Sequence, residues 1–308
     1  MTAIFHIIAP VFLAIFVGYA AMRRQFFTQE QLNGLGKFVV RIGMPMLVFN
    51  AIATRPMAEV FKPEYFYGYS AASVLAFFIG WQVSRWRKLP PTLAVLNGFA
   101  VGMSNSGFIG YPLLLMAIGP SAAVYFAMNV LTESLLIFPL LFAFLDWSKG
   151  RGTNARTLLL KIVKNLSGNP IIVAMPVAMV FALGWLPLPL FVEKLSSMLA
   201  AATTPLALFM IGGNLYGLSI RGNVGDMMVV AAGKLLMCPL LVGLCLWLAG
   251  ANDEMLFAGV LFATTPMASL YALFGGLNGF AKETSGAMLL ATVLSIVPIS
   301  LVLLLMAH

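Results

Sequence analysis

Apolar runs of membrane-crossing length recur along almost the whole sequence. They lie near residues 2–22, 37–54, 64–84, 92–118 and 121–145, then near 168–186, 195–217, 225–249, 253–278 and 284–306, separated by Gly, Pro and charge clusters. About 20 residues carry a helix across the hydrocarbon of a bilayer, so the pattern predicts an all-α polytopic membrane protein with ten spans. Only 9% of the 308 residues are charged and 61% are apolar, against roughly 25% charged in soluble proteins. A water-soluble globule is excluded, and the loops are too short for a folded soluble domain. The chemistry must lie within the bilayer.

The net charge of +8 would suggest nucleic acid in a soluble protein; here its placement reports orientation, and no nucleic-acid partner is expected. With the N-terminus outside, the inside loops hold Arg23, Arg24, Arg85, Arg87, Lys88, Lys149, Arg151, Arg156, Lys161, Lys164, Arg221 and Lys282. The outside loops hold Arg55, Lys62 and Lys194, and Lys37, Arg41 and Lys234 lie at or inside spans. Lys and Arg collect in short cytoplasmic loops, which predicts a multi-pass protein of the cell's inner (plasma) membrane with both ends outside. Arg23 and Arg24 follow the first span rather than precede it, the reverse of a cleavable signal peptide, so that span is expected to stay as helix one. The basic stretch Lys149 to Lys164 suits acidic lipid headgroups, although orientation alone explains it.

Sliding the chain against itself by 160 residues pairs Pro10 with Pro170, Pro45 with Pro205, Phe49 with Phe209, Gly119 with Gly279 and Met128 with Met288. Each half then holds an odd number of spans and enters the membrane from the opposite side. Residues 1–150 and 151–308 are accordingly expected to form two five-helix repeats of inverted topology, the architecture of alternating-access carriers.

The fourth span of each half is the least membrane-like. The first reads Asn97-Gly98, then Ser104-Asn105-Ser106-Gly107-Phe108-Ile109-Gly110-Tyr111-Pro112; the second reads Thr264-Thr265-Pro266-Met267-Ala268-Ser269, then Gly275-Gly276-Leu277-Asn278. Gly and Pro at mid-membrane do not suit a regular helix, and broken backbone is tolerated there only where protein buries it or a cavity meets it. Pro112 and Pro266 are placed to open new half-helices, with Thr264 or Thr265 as cap. The freed N–H groups at such a start suit a carboxylate. The candidate binding set is Ser104, Asn105, Gly107, Pro112, Thr264, Thr265, Pro266 and Ser269. The competing reading is a pair of proline kinks satisfied by neighbouring hydroxyls.

The run Ser104 to Pro112, the Lys234-Leu-Leu-x-x-Pro239 run in span eight and ten spans with both ends outside resemble the auxin efflux carrier family, whose bacterial members include malonate and malate permeases. The resemblance implies the 5+5 fold of the bile-acid/sodium symporter superfamily, in which broken spans four and nine cross at the substrate site. Asn105, Pro112 and Pro266 would then sit at that crossover. The long cytoplasmic loop of the plant carriers between spans five and six is missing here.

Two ionisable residues stand near mid-span, where charge is costly and functional by default. Lys234 lies about ten residues, some 15 Å, into its span, and Glu133 is similarly deep. Either they pair as a structural bridge, or Lys234 is the countercharge for an anion and Glu133 the proton acceptor that couples transport. Arg41 reads as a snorkelling residue. Asn50, Asn129, Thr132, Thr203, Thr204 and Asn214 read as interhelical glue or a polar path.

The two cysteines, Cys238 and Cys245, are seven apart on one span and read as packing residues. His6 and His308 are terminal, no Cys/His/Asp cluster has metal-ligand spacing, and no Walker-type loop is present, so neither metal nor ATP nor any other cofactor is expected. The sequence thus predicts a secondary carrier of a small mono- or dicarboxylate, moving by alternating access or an elevator-like step. A facilitative uniporter, coupling to proton or sodium, and a receptor or sensor on the same fold stay open. Monomer and homodimer are both compatible with the sequence. An enzyme is not expected.

Overall fold

The computed structural model describes residues 2–150, 155–217 and 223–306. Arg151, Arg221, His308 and the side chain of His6 lie outside the described residues. From the N-terminus the helices are α1 (Thr2–Arg23), α2 (Gln29–Phe38), α3 (Met44–Ala53), α4 (Met57–Val60), α5 (Pro63–Trp86), α6 (Pro91–Gly102), α7 (Tyr111–Ile118), α8 (Ala122–Thr132) and α9 (Phe138–Ser148). They continue with α10 (Ala155–Gly168), α11 (Pro170–Ala182), α12 (Leu190–Leu215), α13 (Val224–Ala232), α14 (Cys238–Leu248), α15 (Asp253–Thr264), α16 (Leu270–Leu277), α17 (Ala281–Leu294) and α18 (Ile296–Met306). The described residues contain no named strand. Five stretches are long and apolar enough to cross a bilayer: Gln29–Ala53, Ser106–Ser148, Leu190–Leu215, Val224–Leu248 and Ala281–Leu305.

Two segments differ from expectation. The second helical stretch begins at Gln29, not near 37, because Thr28 and Gln31 form a capping box: the Gln31 N–H donates to Thr28 Oγ1 at 3.2 Å, and the Thr28 N–H to Gln31 Oε1 at 2.9 Å. The expected loop after residue 145 contains α10. Its Leu158, Leu159, Ile162, Val163 and Leu166 fall on one helical face, with Lys161 and Lys164 on the other. At 14 residues it is too short to cross a bilayer by itself; with α11 it forms a bent pair that is together long and apolar enough for one broken span or a re-entrant loop.

Four π-turns interrupt the described helices, at Val39–Gly43, Ser106–Gly110, Glu133–Ile137 and Gly233–Met237. Each ends two residues before a proline: Pro45, Pro112, Pro139 and Pro239. Proline has no N–H and its ring crowds the carbonyl four residues back. The turn widens by one residue, and the residue before the proline donates to a carbonyl five back, as Met44 does to Val39, Phe138 to Glu133 and Cys238 to Gly233.

The helices gather into two compact units, each drawing on both sides of residue 150. The first comprises Met1–Lys62, Gly107–Val130 and Leu166–Gly217. Its central contact is α1 on α12, where Gly18 lies against the Phe209 backbone and Gly212 against the Ile15 carbonyl. Small residues let helix backbones approach this closely. Here Asn50 accepts from Ser196 Oγ at 3.0 Å and Asn214 from Gln29 at 3.4 Å, as glue would, while Arg41 is exposed.

The second unit comprises Pro63–Ser106, Leu131–Asn165 and Leu218–His308. Its main contact is α5 on α6, where Gly98 and Gly102 approach the Phe77 and Ser73 carbonyls. Helix α14 packs on α5 and α15 through buried Val242 and Leu246.

Candidate functional site

Two helix breaks face each other within the second unit. Pro266 disfavours helical backbone at the residue before it, so α15 ends at Thr264 and Thr265 turns extended, at φ −69° and ψ 153°. In α6, Met103 turns extended after Gly102, at φ −118° and ψ 125°. The extended segments then pair: Ser104 and Met267 form an antiparallel bridge, and the Asn105 N–H donates to the Pro266 carbonyl at 2.8 Å. The backbone groups released by one break thereby meet those of the other, in a region where Ser104, Asn105, Thr264, Thr265 and Met267 are all buried.

The threonines do not cap a new half-helix as expected. Thr264 Oγ1 donates to the Leu261 carbonyl and Thr265 Oγ1 to the Phe262 carbonyl, each at 2.7 Å. They close the C-terminal end of α15, because Pro266 leaves those carbonyls short of their helical donors. Pro266 lies inside the break rather than at the first position of α16, which begins at Leu270; Ser269 precedes it, is exposed and makes no side-chain cap. Pro112 likewise does not open its half-helix, since the Ser106–Gly110 π-turn runs straight into α7. Gly107 and Pro112 belong to the first unit, where Gly107 lies against Met44 and Phe126.

Both mid-span charges reach the broken segment of α6. Lys234, wholly buried in its π-turn, donates from Nζ to Ser104 Oγ at 2.6 Å and lies 3.5 Å from Cys238 Sγ. Ser104 Oγ also accepts from the Tyr69 hydroxyl at 3.2 Å. Glu133, at the start of its own π-turn, accepts from Ser106 Oγ. Close by in sequence, Ser70 and Thr132 share a hydrogen bond of 2.8 Å.

Ion pairs join Arg87 with Asp226 and Lys161 with Asp146, and among the described residues neither Lys234 nor Glu133 takes part in one. Lys234 and Glu133 therefore form no direct bridge; each holds a serine, two residues apart. Protonated, Lys234 is a buried cation with no carboxylate within 4 Å, an arrangement that costs several kcal/mol unless an anion joins it. No cluster of three or more metal-ligating side chains occurs among the described residues.

Tyr69, Ser106 and Cys238 were not singled out by sequence. Cys238 carried a usable signal, four residues after Lys234 on one helical face. Tyr69 carried none beyond a polar tip in mid-span.

The sequence model of the family described as "Membrane transport protein" matches residues 3–303. A Rhizobium meliloti protein named "Putative malonate transporter" is 28% identical over 298 residues, covering 96% of this chain and 92% of that protein. A rice protein named "Probable auxin efflux carrier component 5c" is 28% identical over 140 residues, 43% of this chain and 38% of its own. The mouse "Lysosomal cholesterol signaling protein" is 26% identical over 264 residues, 78% of this chain but 29% of that protein. The family is one of transporters, not enzymes. Apolar and helical along its described length, the chain belongs to the membrane transport protein family that includes the auxin efflux carriers.

Proposed function

We propose that the protein is a secondary carrier of a small organic anion, a mono- or dicarboxylate of the malonate class, working by alternating access. The observation that carries this reading is buried Lys234 bound to Ser104 at the facing helix breaks, with no carboxylate paired to it. A carboxylate entering there supplies the missing charge and meets Lys234 Nζ, with Ser104, Asn105 and Thr265 around it. The name of the Rhizobium meliloti relative supports a dicarboxylate as the first substrate to test.

In the same reading the chain spans the inner membrane ten times with both ends outside, as two inverted five-helix repeats over residues 1–150 and 151–308. The constant offset of prolines and the loop charges support it. Glu133, hydrogen-bonded to Ser106 on the segment that Lys234 also holds, is the proton acceptor that couples movement to a gradient.

The name of the mouse relative gives a sensor reading its one support, over 29% of that protein. Uptake of radiolabelled malonate and other carboxylates into proteoliposomes, at varied pH and sodium, separates these readings. Saturable, gradient-dependent uptake establishes a coupled carrier. Uptake indifferent to both gradients establishes a uniporter, and binding without uptake a sensor.

A further inference from the structure

The second unit contains a cavity of about 200 Å³ that the anion site does not use. At roughly 30 Å³ per water it holds about seven waters, the scale of a three- or four-carbon dicarboxylate. It extends from the loop residues Pro90 and Phe280 to Asn97 of α6 and Tyr271 of α16, along Met227 and Val230 of α13. The wall on α13, Met227 and Val230, runs along the helix into the π-turn that carries Lys234. The wall on α6 leads the same way. One turn beyond Asn97 is Val101, whose Cγ2 would lie 3.3 Å from a Cβ on Gly233, the neighbour of Lys234.

At the inner end stand two polar side chains that are almost wholly buried, Asn97 at 3% and Tyr271 at 1% exposure. The Tyr271 hydroxyl donates to Asn97 Oδ1 at 2.8 Å, and Asn97 Nδ2 donates to Ser84 Oγ at 3.0 Å. Asn97 belongs to the half-helix before one break and Tyr271 to the half-helix after the other. Their bond ties the two broken helices a second time, about 10 Å along α6 from Ser104.

We propose that this cavity is the vestibule through which substrate reaches Lys234, and that Asn97 and Tyr271 are the latch that closes it. The proposal rests on the reading of Lys234 as the anion site. Opening the latch frees the Tyr271 hydroxyl, a donor that a passing carboxylate can use in place of the bond lost, and leaves Asn97 Oδ1 as a free acceptor while the Asn97 amide stays on Ser84. Asp226 on the vestibule wall is held by Arg87 at 2.7 Å. Glu283 adds negative charge to the same wall, so anion entry is slowed by repulsion and quickens as salt screens it. By the loop-charge orientation it opens to the cytoplasm.

A thiol already present tests this. Cys238 is 2% exposed and lies 3.5 Å from Lys234 Nζ, beyond the latch. In a Cys245→Ser background, the rate of Cys238 modification by a negatively charged, membrane-impermeant methanethiosulfonate is measured in inside-out and right-side-out vesicles, with and without malonate. A neutral hydrogen bond of this kind shifts an opening equilibrium by about three- to tenfold. Tyr271→Phe should raise the rate by that factor in inside-out vesicles and leave it unchanged in right-side-out ones. Ser84→Ala, which loosens Asn97 from behind, should raise it less. Unchanged rates in both variants overturn the latch, as does an equal rise from both sides with a lowered melting temperature. Protection by malonate checks the reading beneath the proposal: faster modification without protection keeps the latch and removes Lys234 as the anion site.

Discussion

Lys234 holds Ser104 at 2.6 Å and forms no ion pair with Glu133, whose carboxylate is taken by Ser106. Two buried charges therefore grip one broken segment at positions two apart, and the stretch Ser104-Asn105-Ser106 lies between them. This geometry separates the two meanings that a pair of mid-membrane charges can have.

The first expected outcome is thermodynamic. Partners in a buried bridge lose about 3 to 5 kcal/mol when one is removed and recover much of it when both are. Here Lys234 and Glu133 act on one another only through the shared segment Ser104 to Ser106, so the double mutant Lys234→Met with Glu133→Gln should recover about 0.5 to 1 kcal/mol at most, far less than a direct bridge would return. Lys234→Met should also weaken malonate binding at least about tenfold, because a close charge in a partly desolvated site contributes more than in water. Melting curves and binding isotherms of four proteins measure both, and a strongly rescuing double mutant would restore the bridge.

A second outcome concerns coupling. In Glu133→Gln the side-chain amide still offers an oxygen to Ser106 but cannot carry a proton. The variant should therefore bind malonate nearly as wild type does, while its uptake becomes flat with pH. Uptake that follows the wild-type pH profile in the variant removes Glu133 from the proton path.

At the bridge between the breaks, Asn105 contributes its main-chain N–H to Pro266, and that bond survives any change of its side chain. Asn105→Leu should therefore keep the melting temperature within a few degrees and abolish uptake. Retained uptake would show that the segment serves only as scaffold.

Helix packing gives a test independent of function. A Cβ on Gly212 would overlap the Ile15 carbonyl oxygen, which is backbone and cannot step aside, whereas one on Gly34 of α2 meets nothing within 4 Å. Gly212→Ala should destabilise by about 1 to 3 kcal/mol or more; Gly34→Ala should stabilise by about 0.5 to 1 kcal/mol through helix propensity. Equal effects at the two sites would mean that α1 and α12 do not pack as described.

Much of this was legible in the sequence, and the misses have causes. The break at Pro266 could be read because proline acts on its own neighbours, whatever surrounds it. The depth of Lys234 and Glu133 could be read because it needs only a count along a span. What each charge touches could not, because a side chain's direction depends on helix rotation, and both residues sit in π-turns that shift rotation by an extra residue. Thr264 and Thr265 were misplaced for a different reason: a hydroxyl beside a break can cap the helix after it or close the helix before it, and only the donor geometry distinguishes these. Helix α10 was missed because a basic amphipathic stretch lacks the unbroken apolar run that marks a span.

The π-turns supply the last prediction. Each precedes a proline by two residues, so proline is the proposed cause of the widened turn and hence of the direction in which Lys234 points. In Pro239→Ala the new N–H can donate to the Leu235 carbonyl, and the turn can relax to ordinary α-helix. Relaxation removes one residue from the turn and rotates α13 against α14 by about 100°. Helix α14 is fixed on α5 and α15 by buried Val242 and Leu246, so the rotation falls on Lys234 and takes it from Ser104. Because the rotation also turns buried Met227, Val230 and Ala231 out of their contacts, the variant should melt lower than wild type despite the better helix propensity of Ala, and it should bind malonate as weakly as Lys234→Met. Pro205 provides the control, because it lies inside α12 without a π-turn. Pro205→Ala should therefore raise stability and leave binding unchanged. A Pro239→Ala protein with wild-type affinity would mean that packing, not proline, holds the turn open.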